Sequence, residues 1–271
     1  MTFTGWLRSL VYATSADPFQ LRDLAVGLVR QAGDLLRRER SSELQPGTKS
    51  TPTDLVTVMD HKAERLIVEA LEGQRPDDTI LAEEGSSRQG NTGVRWIIDP
   101  LDGTVNYFYG IPAYGVSIAA EVDGTIVAGA VYDGMHGAVH EAVLGHGARS
   151  NDIPLRCSNA STLAVSLIGT GFAYSAARRA KQGDLIAGLL PAVRDLRRIG
   201  AAALDLCAVA GGHLDGFFEH GLQPWDRAAG LLIAAEAGAR TARIMDGDEE
   251  LTMAAAPGIF DELREALGAA Q

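Results

Sequence analysis

The sequence predicts an α/β protein in two lobes, an antiparallel α+β half followed by an α/β half. Three observations carry this expectation. Two amphipathic helix patterns lie near the start of the chain. Between Gly115 and Val143, apolar runs are separated by the turn signals Asp123-Gly124 and Asp133-Gly134, the pattern of an antiparallel meander. Beyond Thr162, strand-like and helix-like segments alternate. The expected division is a flexible leader over residues 1–16, an antiparallel α+β lobe over 17–161 and an α/β lobe over 162–271.

The elements follow in order. "LVYATSA" ends in small residues like a signal peptide, but no positive charge precedes it and Arg8 interrupts it, so the leader is read as retained. The first helix starts at Asp17 as N-cap, with Pro18 at its first position and Gln20 placed to close a capping box; Leu21, Leu24, Ala25, Leu28, Ala32 and Leu35 form its apolar face. "SSELQPGTKSTPT" reads as a mobile loop. A second helix follows, capped by Thr57 and Asp60, with Ala63, Leu66, Ile67, Ala70 and Leu71 on one face. "TILAEEGSSRQGNTG" gives a short strand, an acidic pair and a flexible stretch before the strand "WIID". After the meander come the strand "LAVSLIGTG", a helix over about 175–197, the small-residue helix "AAALDLCAVAG", the strand "LDGFFEHG", the helix "WDRAAGLLIAAEAG", and a closing strand and helix.

At 271 residues and 46% hydrophobic side chains, the chain can bury a large core, which excludes small disulfide scaffolds and disordered chains. Its two cysteines, Cys157 and Cys207, are fifty positions apart and fit reduced thiols in the cytoplasm. No apolar run is long enough to span a membrane. A net charge of −11 with scattered basic residues argues against nucleic acid as the main partner. An anionic substrate would then need something other than side-chain cations to attract it, and a bound metal ion is the natural candidate.

"WIIDPLDGTVN" points the same way. Pro100 holds Asp99 extended, and Asp102-Gly103 reads as a tight turn, so the two carboxylates can converge. Converging carboxylates repel unless a proton or a cation lies between them, and oxygen ligands select Mg²⁺, Mn²⁺ or Ca²⁺. Gly103-Thr104 could open a helix whose free N–H groups bind a phosphate oxygen. On this stretch alone, the other reading is a surface turn with Asp99 as a cap. Glu83-Glu84 at the end of another apolar strand and Asp226 at a helix start are each ordinary alone; together the three acidic sites supply ligands for two or more divalent ions.

The segments "TDLVTVMD", "LAEEG", "DPLDGT" and "WDRAAG" resemble, in order and spacing from about residue 20 to 267, the signature motifs of the inositol monophosphatase family of Mg²⁺-dependent, lithium-sensitive sugar-phosphate phosphatases. The resemblance implies a layered αβαβα sandwich of the kind shared with fructose-1,6-bisphosphatase, a small sugar or cyclitol phosphate as substrate, no membrane partner and a homodimer. It implies two or three Mg²⁺ ions per site, with Mn²⁺ as a substitute and Li⁺ and Ca²⁺ as inhibitors. Glu83, Asp99 and the carbonyl of Leu101 would hold one ion; Asp99, Asp102 and Asp226 would hold a second. Water is activated near Glu83 and Thr104, Asp54 supports the ligands from behind, and Lys49 in its mobile loop helps organise a weaker third ion. The substrate would lie among Glu83, Leu101, Asp102, Gly103, Thr104, Gly200, Ala201, Ala202, Glu219 and Asp226. Many relatives carry Ser or Thr where this chain has Ala201, which removes a hydroxyl contact.

Likeness of "KSTPTDLVTVMD", "YGIPAYGVSI" and "RRIGAAALDLC" to bacterial inositol monophosphatases favours myo-inositol 1-phosphate. Histidinol phosphate and fructose 1,6-bisphosphate share the ligand set and stay open. A regulatory protein acting through the transcription machinery is the rival of another class. "GTKS", "GTGFAY" and "GHGARS" lack the glycines of nucleotide-binding loops, and no G-x-S-x-G occurs. His136 and His140 fall in a hairpin rather than on a helix, and "DGDEE" reads as a solvated loop rather than a calcium loop.

Overall fold

The computed structural model describes residues 16–40, 47–49, 55–247 and 249–268. The expected leader up to residue 15 and most of the loop "SSELQPGTKSTPT" lie outside them; Ala16 is buried in the core. In chain order the elements are α1 (Pro18–Arg38), β1 (Gly47–Thr48), β2 (Leu55–Val56), α2 (Val58–Gln74), β3 (Thr79–Ala82), β4 (Ser87–Arg88), β5 (Val94–Asp102), α3 (Thr104–Tyr109), β6 (Gly115–Val122), β7 (Thr125–Asp133), β8 (Ala138–Val143), β9 (Ala148–Ser150) and β10 (Ile153–Pro154). They continue with β11 (Leu167–Thr170), α4 (Ala176–Leu189), β12 (Asp195–Arg197), α5 (Ala202–Ala210), β13 (Gly216–His220), α6 (Pro224–Glu236), β14 (Arg240–Asp246), β15 (Glu249–Ala255) and α7 (Phe260–Ala266).

These elements build a layered αβαβα sandwich. Strands β10-β9-β8-β7-β6-β5-β3-β4 form one sheet, antiparallel except where β3 runs beside β5. Strands β12-β11-β13-β15-β14 form the second, parallel through β12, β11 and β13 and antiparallel beyond. The two-residue alternation of each strand divides its side chains between layers. Trp96 and Ile98 pack under α1 and α2, while Ile97 faces α5 and α6 between the sheets. On the second sheet Phe217 faces inward, and Phe218 packs outward with Leu189 of α4 and Phe260 of α7. Gly33 of α1 lies against the Tyr132 ring of β7, where any Cβ would clash.

Several local expectations need correction. Asp17 caps α1 by accepting from the Phe19 N–H at 3.0 Å rather than through a box with Gln20. The buried stripe of α1 runs through Leu21, Ala25, Leu28, Val29, Ala32 and Leu36, with Leu24 and Leu35 only partly covered. The capping box of Thr57 and Asp60 on α2 forms as expected. Asp133 ends β7, but Gly134 does not take the left-handed conformation; Gly137 does, so the β7–β8 connection is longer than a two-residue turn. The helix expected over about 175–197 ends at Leu189, since Pro191 lacks the N–H to continue it, and residues 195–197 form edge strand β12. The closing strand is a pair, β14 and β15; the second half of "DGDEE" enters β15, where Glu250 pairs with Arg243 at 2.7 Å and Arg227 at 3.1 Å. No helix among the described residues is long and apolar enough to cross a membrane.

Candidate active site

The site sits where strand ends of the first sheet meet helix N-termini of the middle layer. Strands β3 and β5 are parallel with Ala82 opposite Ile98, and the Glu83 N–H extends this ladder to the Ile98 carbonyl at 3.1 Å. Glu83 therefore emerges beside Asp99. Asp99 and Asp102 are three residues apart and would point to opposite faces of a regular strand. The structure resolves this with a bulge: Asp99 pairs with Ser117 and Asp102 with Gly115, so β5 takes three steps where β6 takes two. Pro100, which has no N–H for the ladder, lies in the bulge, and the Leu101 N–H turns to Asp99 Oδ1 at 3.0 Å. Both carboxylates then line one cavity. Here the sequence expectation of a tight turn at Asp102 is corrected, because the strand continues through Asp102 and the chain turns at Gly103.

Gly103 has φ 85°, and a Cβ there would lie 2.9 Å from the Ala113 carbonyl and 3.2 Å from Ala201 Cβ. Only glycine combines that conformation with so close an approach. Helix α3 starts next. The Thr104 hydroxyl lies 2.8 Å from Asp60 Oδ1 and 3.0 Å from the Leu101 carbonyl. Asp60 spends its other oxygen capping α2, accepting from the Thr57 N–H at 2.7 Å and the Thr57 hydroxyl at 2.6 Å.

Asp226 arrives from the second half of the chain on the first turn of α6, where its Oδ2 accepts from the Gln223 N–H at 2.6 Å. Oxygens of Glu83, Asp99 and Asp226 lie within 4.8 Å of one another. Asp102 stands beside this trio with its Oδ2 on the Ala203 N–H at 2.7 Å, at the start of α5. Asp99 is only 1% exposed. Burial, and then the charges of Glu83, Asp102 and Asp226, hold its carboxyl well above the usual range. Burial likewise pushes Asp226 well up, with Glu83 and Asp102 adding to it. Burial lifts Asp102 to about 7 against the pull of the Ala203 N–H.

Such a cluster cannot hold its full negative charge without a counter-charge. A hard divalent cation fits the all-oxygen donors, the burial and the spacing. Among the described residues, the ammonium of Lys49 meets the edge of the cluster, 2.7 Å from Glu83 and 2.6 Å from Glu84. Burial opposes its charge, but the two carboxylates outweigh burial and raise its pKa. Glu64 braces the acidic turn, accepting from the Glu84 N–H at 2.8 Å and the Ser86 hydroxyl at 2.6 Å.

Of the residues named from sequence, Lys49, Glu83, Asp99, Leu101, Asp102, Gly103, Thr104, Gly200, Ala201, Ala202, Glu219 and Asp226 all line one cavity of about 420 Å³. Asp54 lies outside the described residues. Glu219 stands at the far end over Gly171; burial and the charge of Asp102 raise it to about 7, while Arg198 and Arg178 pull it down. Sequence reasoning missed Asp60, whose role as a helix cap hid its second contact, and the cavity-lining Arg178 and Arg198, which read as surface charges.

The inositol monophosphatase family model matches residues 17–269. The chain is 50% identical to an inositol-1-monophosphatase of Mycobacterium leprae, covering 93% of this chain and 94% of that one. It is 41% identical to a protein of Pasteurella multocida named Nus factor SuhB, over 89% of this chain and 93% of the other. Among solved structures, Mycobacterium tuberculosis SuhB superposes with a TM-score of 0.80 at 45% identity, covering 93% of this chain and 97% of that chain.

Proposed function

The chain belongs to the inositol monophosphatase family and is a phosphatase, and we propose that it hydrolyses myo-inositol 1-phosphate to inositol and phosphate with bound Mg²⁺. The observation that carries this reading is the convergence of Glu83, Asp99 and Asp226 from three separate elements. Glu83, Asp99 and the Leu101 carbonyl would hold one ion, and Asp99, Asp102 and Asp226 a second. Bound Mg²⁺ would supply charge neutralisation at the phosphate and acidify the attacking water.

The chain's own groups do the rest. The Thr104 hydroxyl has one proton for two acceptors. When the Leu101 carbonyl is engaged elsewhere, that proton goes to Asp60 and leaves the Thr104 oxygen free to accept from the attacking water, in the cavity that Glu83 also lines. The water oxygen joins phosphorus, the P–O bond to the ring breaks, and the ring oxygen gains a proton. Gly103 and the start of α3 offer backbone N–H groups to the phosphate oxygens. Glu219 and Asp226 accept from ring hydroxyls, with Gly200, Ala201 and Ala202 forming the wall. Lys49 balances the charge of Glu83 and Glu84 on the loop side. A homodimer is the assembly that the family resemblance supports here, and the two free thiols fit the cytoplasm.

Phosphate release from inositol 1-phosphate, histidinol phosphate and fructose 1,6-bisphosphate, with and without Mg²⁺, tests the reading. Inositol 1-phosphate should be preferred, millimolar-scale lithium should inhibit, and Asp99→Asn and Asp226→Asn should be inactive. Equal release by wild type and both variants would show the metal-site reading to be wrong. A second reading, regulation through the transcription machinery, is favoured by the name of the Pasteurella relative. Capture of RNA polymerase equally by wild type and Asp99→Asn would support it.

A further inference from the structure

Asn106 closes the stretch "WIIDPLDGTVN", and no step of the hydrolysis above uses it. It is buried on α3, two residues past Thr104, and does not line the cavity. Its amide nitrogen donates to the Ala113 carbonyl at 2.8 Å and to the Ile199 carbonyl at 2.9 Å, with the Gly200 carbonyl a weaker third at 3.4 Å. Three acceptors around one end of the amide fix that end as the NH2, the only side with protons to give. Ala113 lies in the connection between α3 and β6, and Ile199 in the connection between β12 and α5. One side chain therefore ties three segments together, reaching 93 positions along the sequence to Ile199.

The same carbonyls bear on the phosphate end of the site. A Cβ on Gly103 would lie 2.9 Å from the Ala113 oxygen and 3.2 Å from both the Gly200 oxygen and Ala201 Cβ. Gly103 thus rests on the two connections that Asn106 holds. A Cβ on Gly200 would in turn lie 3.1 Å from the Asn106 amide nitrogen, so the gap is closed by the amide itself. Beyond Gly200 the loop runs along the cavity through Ala201 and Ala202, and the Ala203 N–H ends it on Asp102 at 2.7 Å. Its distance from Gly103 and Thr104 is accordingly set at two points, Asp102 at one end and Asn106 at the other. We propose that Asn106 is a positioning residue for specificity: it holds residues 199–202 at a fixed distance from the phosphate end, so that an ester of a ring polyol, which spans both, is favoured over an open-chain ester. The inference rests on the phosphatase reading above and names a cause of its selectivity. Without the amide, the Ala113 and Ile199 carbonyls lose their donor and the loop gains by moving toward water. The Ala203 end stays on Asp102, so the carboxylates keep their places while the wall shifts, and a displaced wall weakens only what touches it.

The test is steady-state phosphate release from inositol 1-phosphate and glycerol 2-phosphate by the Mg²⁺-loaded wild type, Asn106→Ala and Asn106→Ser, with a melting curve for each protein. Both compounds are esters of a secondary alcohol, but only the first carries a ring to lie on the loop. Wild type should prefer inositol 1-phosphate. Asn106→Ala should raise the KM for inositol 1-phosphate about tenfold, the scale of one hydrogen bond, with kcat within about twofold of wild type. Both constants for glycerol 2-phosphate should stay at their wild-type values. Asn106→Ser places a hydroxyl too short to reach Ile199 and should behave like Asn106→Ala, so it carries the test if the alanine variant does not fold. A purely structural role predicts a lower melting temperature and an equal loss of kcat on both esters with each KM unchanged; that result would overturn the inference, as would an unchanged KM for inositol 1-phosphate. If neither variant folds, Asn106 serves the fold rather than selectivity and the inference falls. Each of these failures leaves the phosphatase reading standing. Wild type that releases phosphate from neither ester, or from glycerol 2-phosphate alone, would sink the inositol reading and the inference together.

Discussion

Asp60 performs two tasks with one carboxylate, and the geometry leaves no slack between them. Oδ2 serves Thr57 at the start of α2 and Oδ1 serves Thr104 at the site. Asp60→Asn keeps the shape but replaces one acceptor with a donor, so either the cap or the Thr104 contact must fail. Stopped-assay kinetics should show kcat falling by roughly 10²-fold or more with KM little changed, the scale of a lost proton-transfer aid. Asp99→Asn tests the charge instead. Above neutral pH the buried Asp99 carboxylate costs stability unless a cation faces it, so in EDTA the variant should melt at a higher temperature than wild type, and adding Mg²⁺ should no longer raise its melting point. At this scale the sequence already displayed Glu83, Asp99, Asp102 and Asp226, because motifs mark them locally. It could not display the Asp60–Thr104 contact, which joins positions 44 apart and is invisible to any periodicity.

Strands and helices explain why those residues meet. The parallel register of β3 on β5 sets Glu83 beside Asp99, and the bulge at Pro100 rotates Asp102 onto the same side. Helix starts at α5 and α6 bring Asp102's N–H partner and Asp226. The meander from Gly115 to Val143 and the helices α1, α2, α5 and α6 were legible from alternation, caps and apolar stripes. The bulge was not, since Pro100 signals a departure from the ladder without saying where the chain rejoins it. Nor was the end of α4 at Leu189: the apolar spacing continues beyond it, and only the pairing of β12 with β11 shows that the chain has become a strand. Close approach is the element-scale constraint easiest to test. At Gly33 a Cβ would fall well inside van der Waals range of three atoms of the Tyr132 ring, so Gly33→Ala should lower stability by about 1–3 kcal/mol in urea unfolding. An unchanged midpoint would mean that α1 sits farther from β7 than described.

Across the whole molecule, the carboxylates come from both halves of the chain, so their charge state bears on the entire fold. A carboxyl ionises near 4 in an unfolded chain, while burial and neighbouring carboxylates bring Asp102 and Glu219 to about 7 in the folded one and hold Asp99 and Asp226 well above their ordinary value as well. Between those values the folded chain holds more protons than the unfolded, and stability falls as pH rises. In EDTA the melting temperature should therefore drop between pH 5 and pH 8. Mg²⁺ should restore it at pH 8, by about 2.7 kcal/mol at a hundredfold excess over its dissociation constant, and do little at pH 5, where protons already occupy the carboxyls. A melting curve insensitive to pH and Mg²⁺ would separate the cluster from the fold's energetics. The meander and the later alternation of strands and helices followed from the sequence pattern, and the layering from the family resemblance; the strand order and the register that gather the acidic site came only from the three-dimensional structure.

The central claim is that Asp99, Asp102 and Asp226 trade protons for a divalent cation. Titration calorimetry of Mg²⁺ into the chain at pH 7, in two buffers of different ionisation enthalpy, tests it directly. Binding should release protons, visible as a buffer-dependent heat, and Asp99→Asn should bind weakly or not at all. Mg²⁺ binding of equal strength in wild type and Asp99→Asn, with no proton release, would contradict the account.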